Sequence, residues 1–199
     1  MSVSAHRFRC TACGNCCRDL RVAVTALDVA RLAITTGLAP SALVDWLTPE
    51  AVDMTGEPES FVELSEGRGL MVLRHRDGAC VQLGSDNRCR AYAARPRDCR
   101  AFPFDFSAPV AGTDTPRRLS LLPLLPLSPS SPLGRCDYAT DGENDEAALE
   151  MEDQVRWAEL RDYQRLVARW NRRAWHRRRL RRSPGDAAQF LAYCSEYSK

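Results

Sequence analysis

Four cysteines stand within eight residues near the start of the chain: Cys10, Cys13, Cys16 and Cys17. Spacings of three, three and one are far denser than packing alone requires. In a Cys-x2-Cys turn two sulfurs converge on one ion, at roughly 2.3 Å for zinc, while backbone N–H groups of the turn face the thiolates. Gly14 allows the positive φ that such a knuckle often needs. A disulfide knot or a run of small buried thiols explains the cluster poorly. Adjacent Cys16 and Cys17 serve neither purpose well, whereas each can face a different part of a metal site.

The other cysteines of the nine are Cys80, Cys89, Cys99, Cys136 and Cys194. The first residues carry His6, Arg7 and Arg9 with no apolar stretch, and the longest mainly apolar run, Leu119 to Leu127, is broken by Pro123 and Pro126. A cytoplasmic protein with no membrane segment is therefore expected. In a reducing compartment an odd set of cysteines argues for metal or redox chemistry over a disulfide framework. With 44% apolar and 27% charged residues in 199, the chain suits one domain with a real core, or one domain and an appendage.

The pattern along the chain places these thiols. Leu20 to Val24 reads as a short strand ending at Thr25, which caps a helix running to about Thr35, with Asp28 completing the cap and Gly37 closing it. A second helix is expected after Pro40, carrying Leu43, Val44 and Leu47. Phe61–Leu64 and Leu70–Leu73 form a hairpin around Ser65–Gly69, and the turn at Arg76-Asp77-Gly78 delivers Cys80. Cys89 to Ala94 suits a short helix that Pro96 must end, leaving Cys99 in the turn beyond. Arg117 to Leu122 is a candidate strand, and Pro123 to Pro132 an extended loop.

From Asn144 to Arg182 the pattern is helical, with Leu160, Tyr163, Val167, Trp170 and Ala174 forming one apolar stripe and Glu152 and Arg156 an i,i+4 pair. Ser183-Pro184-Gly185 ends it, and Asp186 caps a last helix carrying Ala187, Phe190, Leu191 and Cys194. The net charge of +2 hides an acidic stretch, Asp141 to Asp153, and a basic one, Arg156 to Arg182. Only Lys199 among the 28 basic residues is a lysine, which points to genome composition and weakens the arginine run as a nucleic-acid signal. The aromatic side of that run is assigned to the packed stripe and its arginines to solvent. Nucleic acid is thus disfavoured, and the helix is expected to dock on the core or on a protein partner.

The pattern Phe8-x-Cys10-x2-Cys13-Gly14-x-Cys16-Cys17-Arg18, Gly78-x-Cys80, and Cys89-x2-Tyr92-x2-Arg95-Pro96-x2-Cys99-Arg100-x-Phe102-Pro103 resembles the zinc- or iron-chelating YkgJ-type cysteine cluster family. The hallmark of that family is eight cysteines, and the eighth matches Cys136 most loosely, since Asp137-Tyr138 follows where several members have Pro-Gly. The resemblance covers residues 8 to 142 and extends to Trp170-Asn171. It implies metal ligation by Cys10, Cys13, Cys16, Cys17, Cys80, Cys89, Cys99 and Cys136, and a relation to the flagellin lysine N-methylases, thought to carry an iron–sulfur cluster. Cys194 lies outside the pattern.

Eight thiolates suit two closed zinc sites, one four-iron cluster with further sulfurs, or a shared multinuclear site. Soft ligands exclude magnesium and calcium. Arg18, Arg95 and Arg100 are candidates to donate to sulfur, while His6 and His75 are read as solvated. There is no Ser/His/Asp order, phosphate-binding glycine loop or paired carboxylate near the cysteines, so any catalysis would rest on the metal. The expected fold is α+β. A small irregular metal-stapled core over residues 1–142 is followed by a helical extension over 143–199. The expected cofactor is zinc or iron, with an iron–sulfur cluster among the alternatives. The competing functions are a methylase-like or redox enzyme and a metal-stapled interaction module.

Overall fold

The computed structural model describes residues 7–52, 58–106, 119–121, 139 and 141–197. Its first helices are α1 (Cys16–Asp19), a single turn, and α2 (Ala26–Thr36). Both caps of α2 form as the sequence dictates. Thr25 accepts the Asp28 N–H, Asp28 accepts the Thr25 N–H in return, and Gly37 closes the helix at φ 69°. Val29 and Leu32 then face the core.

Two strand expectations are corrected here. Leu20–Val24 is no full strand but makes an isolated bridge, Ala23 to Val72. The helix expected after Pro40 stops after one turn, α3 (Pro40–Leu43), and Val44–Leu47 becomes strand β1. Val44 and Trp46 fit a pleated surface, and the pairing partner overrides the helical pattern. Strands β1, β2 (Val62–Leu64) and β3 (Gly67–Leu73) form an antiparallel sheet in the order β1-β3-β2, with Val44 opposite Leu73 and Leu47 opposite Leu70. Since β2 takes the other edge of β3 at Gly67–Gly69, the segment before α2 finds room only near Val72.

The hairpin is tighter than expected. Leu64 pairs with Gly67, so the loop is Ser65 and Glu66 alone, with Gly67 at φ 127°. The next turn follows expectation: β4 (His75–Arg76) and β5 (Ala79–Cys80) pair around Asp77 and Gly78, both at positive φ, and present Cys80.

Cys89–Ala94 is not a helix. Cys89 bridges Leu83 in extended backbone, Arg90 donates its N–H to the Gln82 carbonyl, and only Tyr92–Ala94 forms a 3-10 turn. Cys99 in turn lies on a helix, α4 (Arg97–Ala101), which starts directly after Pro96. Strand β6 (Phe104–Phe106) pairs with β7 (Leu119–Leu121), the described part of the strand expected over Arg117–Leu122. Pro123–Pro132 lies outside the described residues.

The long helix α5 (Glu146–Arg179) buries Leu160, Tyr163, Val167, Trp170 and Ala174, the five residues of the sequence stripe. Asp145 caps it through the Ala147 N–H, and Asp186 and Gln189 cap each other at the start of α6 (Ala187–Tyr197). Glu152 reaches Arg100, and Arg156 reaches Asp153 and Asp98, so the charges expected to pair along α5 tie it to α4. At its other end α5 seals the free edge of β2. Asn171 accepts the Glu63 N–H at 2.8 Å and donates to the Phe61 carbonyl at 2.9 Å, while the Trp170 indole donates to the Glu63 carbonyl at 2.8 Å. A strand edge left open would expose these groups to another chain. One core therefore runs from Val24 through Met71 to Phe190 and Cys194, and the architecture is α+β.

Candidate metal centre

The N-terminal knuckle is shaped by two backbone reversals, Ala12 at φ 57° and Gly14 at φ 75°. The positive φ at Gly14 favours glycine, and a Cβ there would displace the Arg18 guanidinium. The Ala12 N–H donates to Cys10 Sγ at 3.4 Å. α1 then carries Cys16 and Cys17 on one turn, their sulfurs 4.0 Å apart. Arg18 locks this segment to the following half of the site, donating to the Cys13 carbonyl at 3.2 Å and to Asn87 Oδ1 at 2.6 Å.

The second half repeats the local geometry. On β5 the Gln82 N–H donates to Cys80 Sγ at 3.5 Å, and the Ala91 N–H lies where it favours the Cys89 thiolate. Thus Cys10 and Cys80 each receive a backbone N–H from two residues on. Such N–H groups stabilise a thiolate. α1 packs on β5, and α4 brings Cys99 to the same region. The buried amide nitrogen of Gln82 has no acceptor among the described residues.

Electrostatics join four of the sulfurs. Burial pushes the Cys80 thiol up, with Cys89 and Cys16 adding to it. Cys89 is raised by burial against the opposing pull of the Ala91 N–H and Arg95. Cys99 is raised well above the ordinary range, first by burial and then by Cys80, Asp98, Cys16 and Cys89. Contact with Cys17, followed by burial, raises Cys16. A cation would remove this penalty, because each of these causes acts against negative charge on sulfur.

Of the eight expected ligands, Cys16, Cys80, Cys89 and Cys99 thus influence one another, Cys17 contacts Cys16, and Cys10 and Cys13 stand on the neighbouring knuckle, with Cys10 exposed. Cys136 lies outside the described residues. Among the described residues no three His, Cys, Asp or Glu side chains are drawn close enough to share one ion. In kind, the soft donors and their N–H partners fit zinc or iron.

The arginines act differently from the expected sulfur donors. Among the described residues the hydrogen-bond acceptors of Arg18, Arg95 and Arg100 are oxygens. Arg95 stacks on Tyr92 at 3.7 Å and donates to the Tyr92 and Cys99 carbonyls, and Arg100 reaches Glu152 and Glu159. They brace the backbone that carries the cysteines. His75 is half-buried opposite Cys80, its N–H donating to Asp45, and burial followed by Arg21 holds its imidazole below the ordinary value. His6 lies outside the described residues. Sequence reasoning recognised Asp28 as a cap but missed that it also holds α4, and no sequence signal marks Gln82.

The fold and the site define an α+β protein with a cluster of free cysteines. The family model CxxCxxCC (Putative zinc- or iron-chelating domain) matches residues 9–116, over half of the chain, and the protein belongs to that family. No curated protein and no solved structure matches the chain. Among the described residues no helix is long and apolar enough to cross a membrane.

Proposed function

We propose that this member of a zinc- or iron-chelating family holds its metal through Cys10, Cys13, Cys16, Cys17, Cys80, Cys89, Cys99 and Cys136, in the cytoplasm. The observation that carries this reading is the backbone N–H donated to the sulfurs of Cys10 and Cys80 from two residues on, in the region where Cys16, Cys89 and Cys99 also lie. When bound, the ion stabilises thiolates and cross-links segments that the chain brings from far apart. Residues 1–142 supply the ligands and 143–199 form a helical extension that braces them.

A second reading, an iron–sulfur cluster, rests on the compact Cys-x2-Cys-x2-Cys run of Cys10, Cys13 and Cys16. It would support redox or methylase-like chemistry. Metal analysis with an absorption spectrum, on protein purified without oxygen, separates the two: visible absorbance with iron and sulfide marks a cluster, and colourless protein with zinc marks a chelating or structural site. Single Cys→Ser variants test the ligand set. Metal content should fall in the Cys80 and Cys99 variants, and unchanged content in both would overturn the proposal.

A further inference from the structure

The C-terminal end of α5 is an exposed cationic segment, tied to β2 by Arg178, which pairs with Glu63 and donates to the Leu64 carbonyl. From Trp175 to Ser183 every residue is exposed. Residues 163–185 hold nine arginines and no carboxylate, so the remainder of a chain with net charge +2 sums to −7. A helix C-terminus attracts cations, but its dipole amounts to roughly half a charge and cannot account for nine. Codon composition explains arginine in place of lysine. It does not explain the missing carboxylates.

The sequence argument against nucleic acid rested on the arginine-for-lysine composition, on the acidic stretch Glu146 to Asp153 upstream and on aromatic residues assigned to the packed stripe. The fold weakens the last two. Four of the upstream acids are paired: Glu152 with Arg100, Asp153 with Arg156, Glu159 with Arg31 and Asp162 with Arg165. No carboxylate among the described residues pairs with Arg172, Arg173, Arg177, Arg179, Arg181 or Arg182. The aromatics divide as well, since Trp170 is buried while Trp175 is 53% exposed, with Arg179 over its ring at 4.8 Å. Beside the helix, Arg173, His176 and Arg177 line a recess of about 420 Å3 with Trp170 and Pro184.

We propose that this helix end binds nucleic acid through the phosphodiester backbone. Guanidinium forks match phosphate oxygens two at a time, and a convex cationic rod can enter a groove lined by phosphates. A folded acidic protein would have to supply carboxylates all round the rod. A polyanion with regular charge spacing meets that demand without a shaped partner. Recognition is of the backbone and independent of sequence, and it does not depend on the metal.

Fluorescence anisotropy with mixed-sequence single-stranded and duplex DNA and RNA, at several salt concentrations, tests this on the full chain. Affinity near micromolar at low salt is expected, with a log–log salt slope of roughly −4 if about four phosphates are contacted. The combined variant Arg177→Ala, Arg179→Ala, Arg181→Ala, Arg182→Ala should lose at least about tenfold, with the circular dichroism spectrum unchanged because these side chains are exposed. The corresponding Arg→Lys variant should keep most of the binding. Absence of binding would overturn the proposal. So would an affinity of the combined Arg→Ala variant equal to that of the unaltered chain, or a polyglutamate peptide binding as tightly as the nucleic acids with the same slope, which would mark an acidic protein as the partner.

Discussion

Asp28 Oδ1, in the first turn of α2, accepts the backbone N–H of Arg97 at 2.9 Å across 69 residues. This N–H is one of the unpartnered donors at the start of α4, whose own N-cap, Pro96, makes no side-chain bond. The same carboxylate takes Thr25 N and Thr25 Oγ1 and pairs with Arg31, which continues to Glu159 on α5. A fully buried anion therefore caps two helices and anchors the one that carries Cys99. Asp28→Ala should cost about 3–5 kcal/mol in urea unfolding, since it strips a buried, hydrogen-bonded ion pair of its partner. A loss below about 1 kcal/mol would show that the shared cap is not structural.

Asn171 mimics a neighbouring strand by serving the N–H of Glu63 and the carbonyl of Phe61 together. Asn171→Leu keeps the bulk and removes both bonds, so stability should fall by about 2 kcal/mol. Trp170→Phe, losing the indole bond to Glu63 while keeping the ring against Phe190, should cost less in urea unfolding. Hydrogen exchange at the Glu63 amide should accelerate in the Asn171 variant first. An unchanged rate there would contradict the edge-sealing role.

The raised thiols predict opposite pH responses with and without metal. In the metal-free protein, burial holds Cys80, Cys89 and Cys99 above the ordinary value of 9.0. The unfolded chain releases these protons first, so the folded state binds more of them at alkaline pH. Stability is fully present below about pH 9 and declines as the pH rises through the folded values. Metal binding needs thiolates, so apparent affinity should climb with pH and fall in acid. Unfolding and metal competition followed from neutral to alkaline pH check both signs. Metal-free stability that increased with pH would refute the burial argument.

Cys194 sits at 5% exposure with Leu191 and Phe190, and burial pushes its thiol up to about 12. It packs as a small apolar side chain. Cys194→Ala should retain full metal content at a cost of about 1 kcal/mol from the small void. Metal loss comparable to that of the Cys99 variant would place Cys194 among the ligands.

Local chemistry was legible in the sequence wherever neighbouring residues decide the outcome. Thr25 with Asp28, Gly37, the five-residue stripe of α5 and the Asp77-Gly78 turn all formed as read, because caps, periodicity and positive φ depend on adjacent residues. The cysteine spacing likewise disclosed the family. What only the tertiary structure decided was every choice made by a distant partner. Val44–Leu47 became a strand because β3 offered an edge, and Cys99 entered a helix because Asp28 caps it from afar. Whether a charge is spent or free was likewise settled by pairing across elements. Glu159 reaches Arg31 over 128 residues and Arg178 pairs with Glu63, whereas no carboxylate among the described residues pairs with Arg177, Arg179, Arg181 or Arg182. Spacing fixes which groups can meet along one helix turn or strand, whereas pairing between elements depends on how the whole core closes.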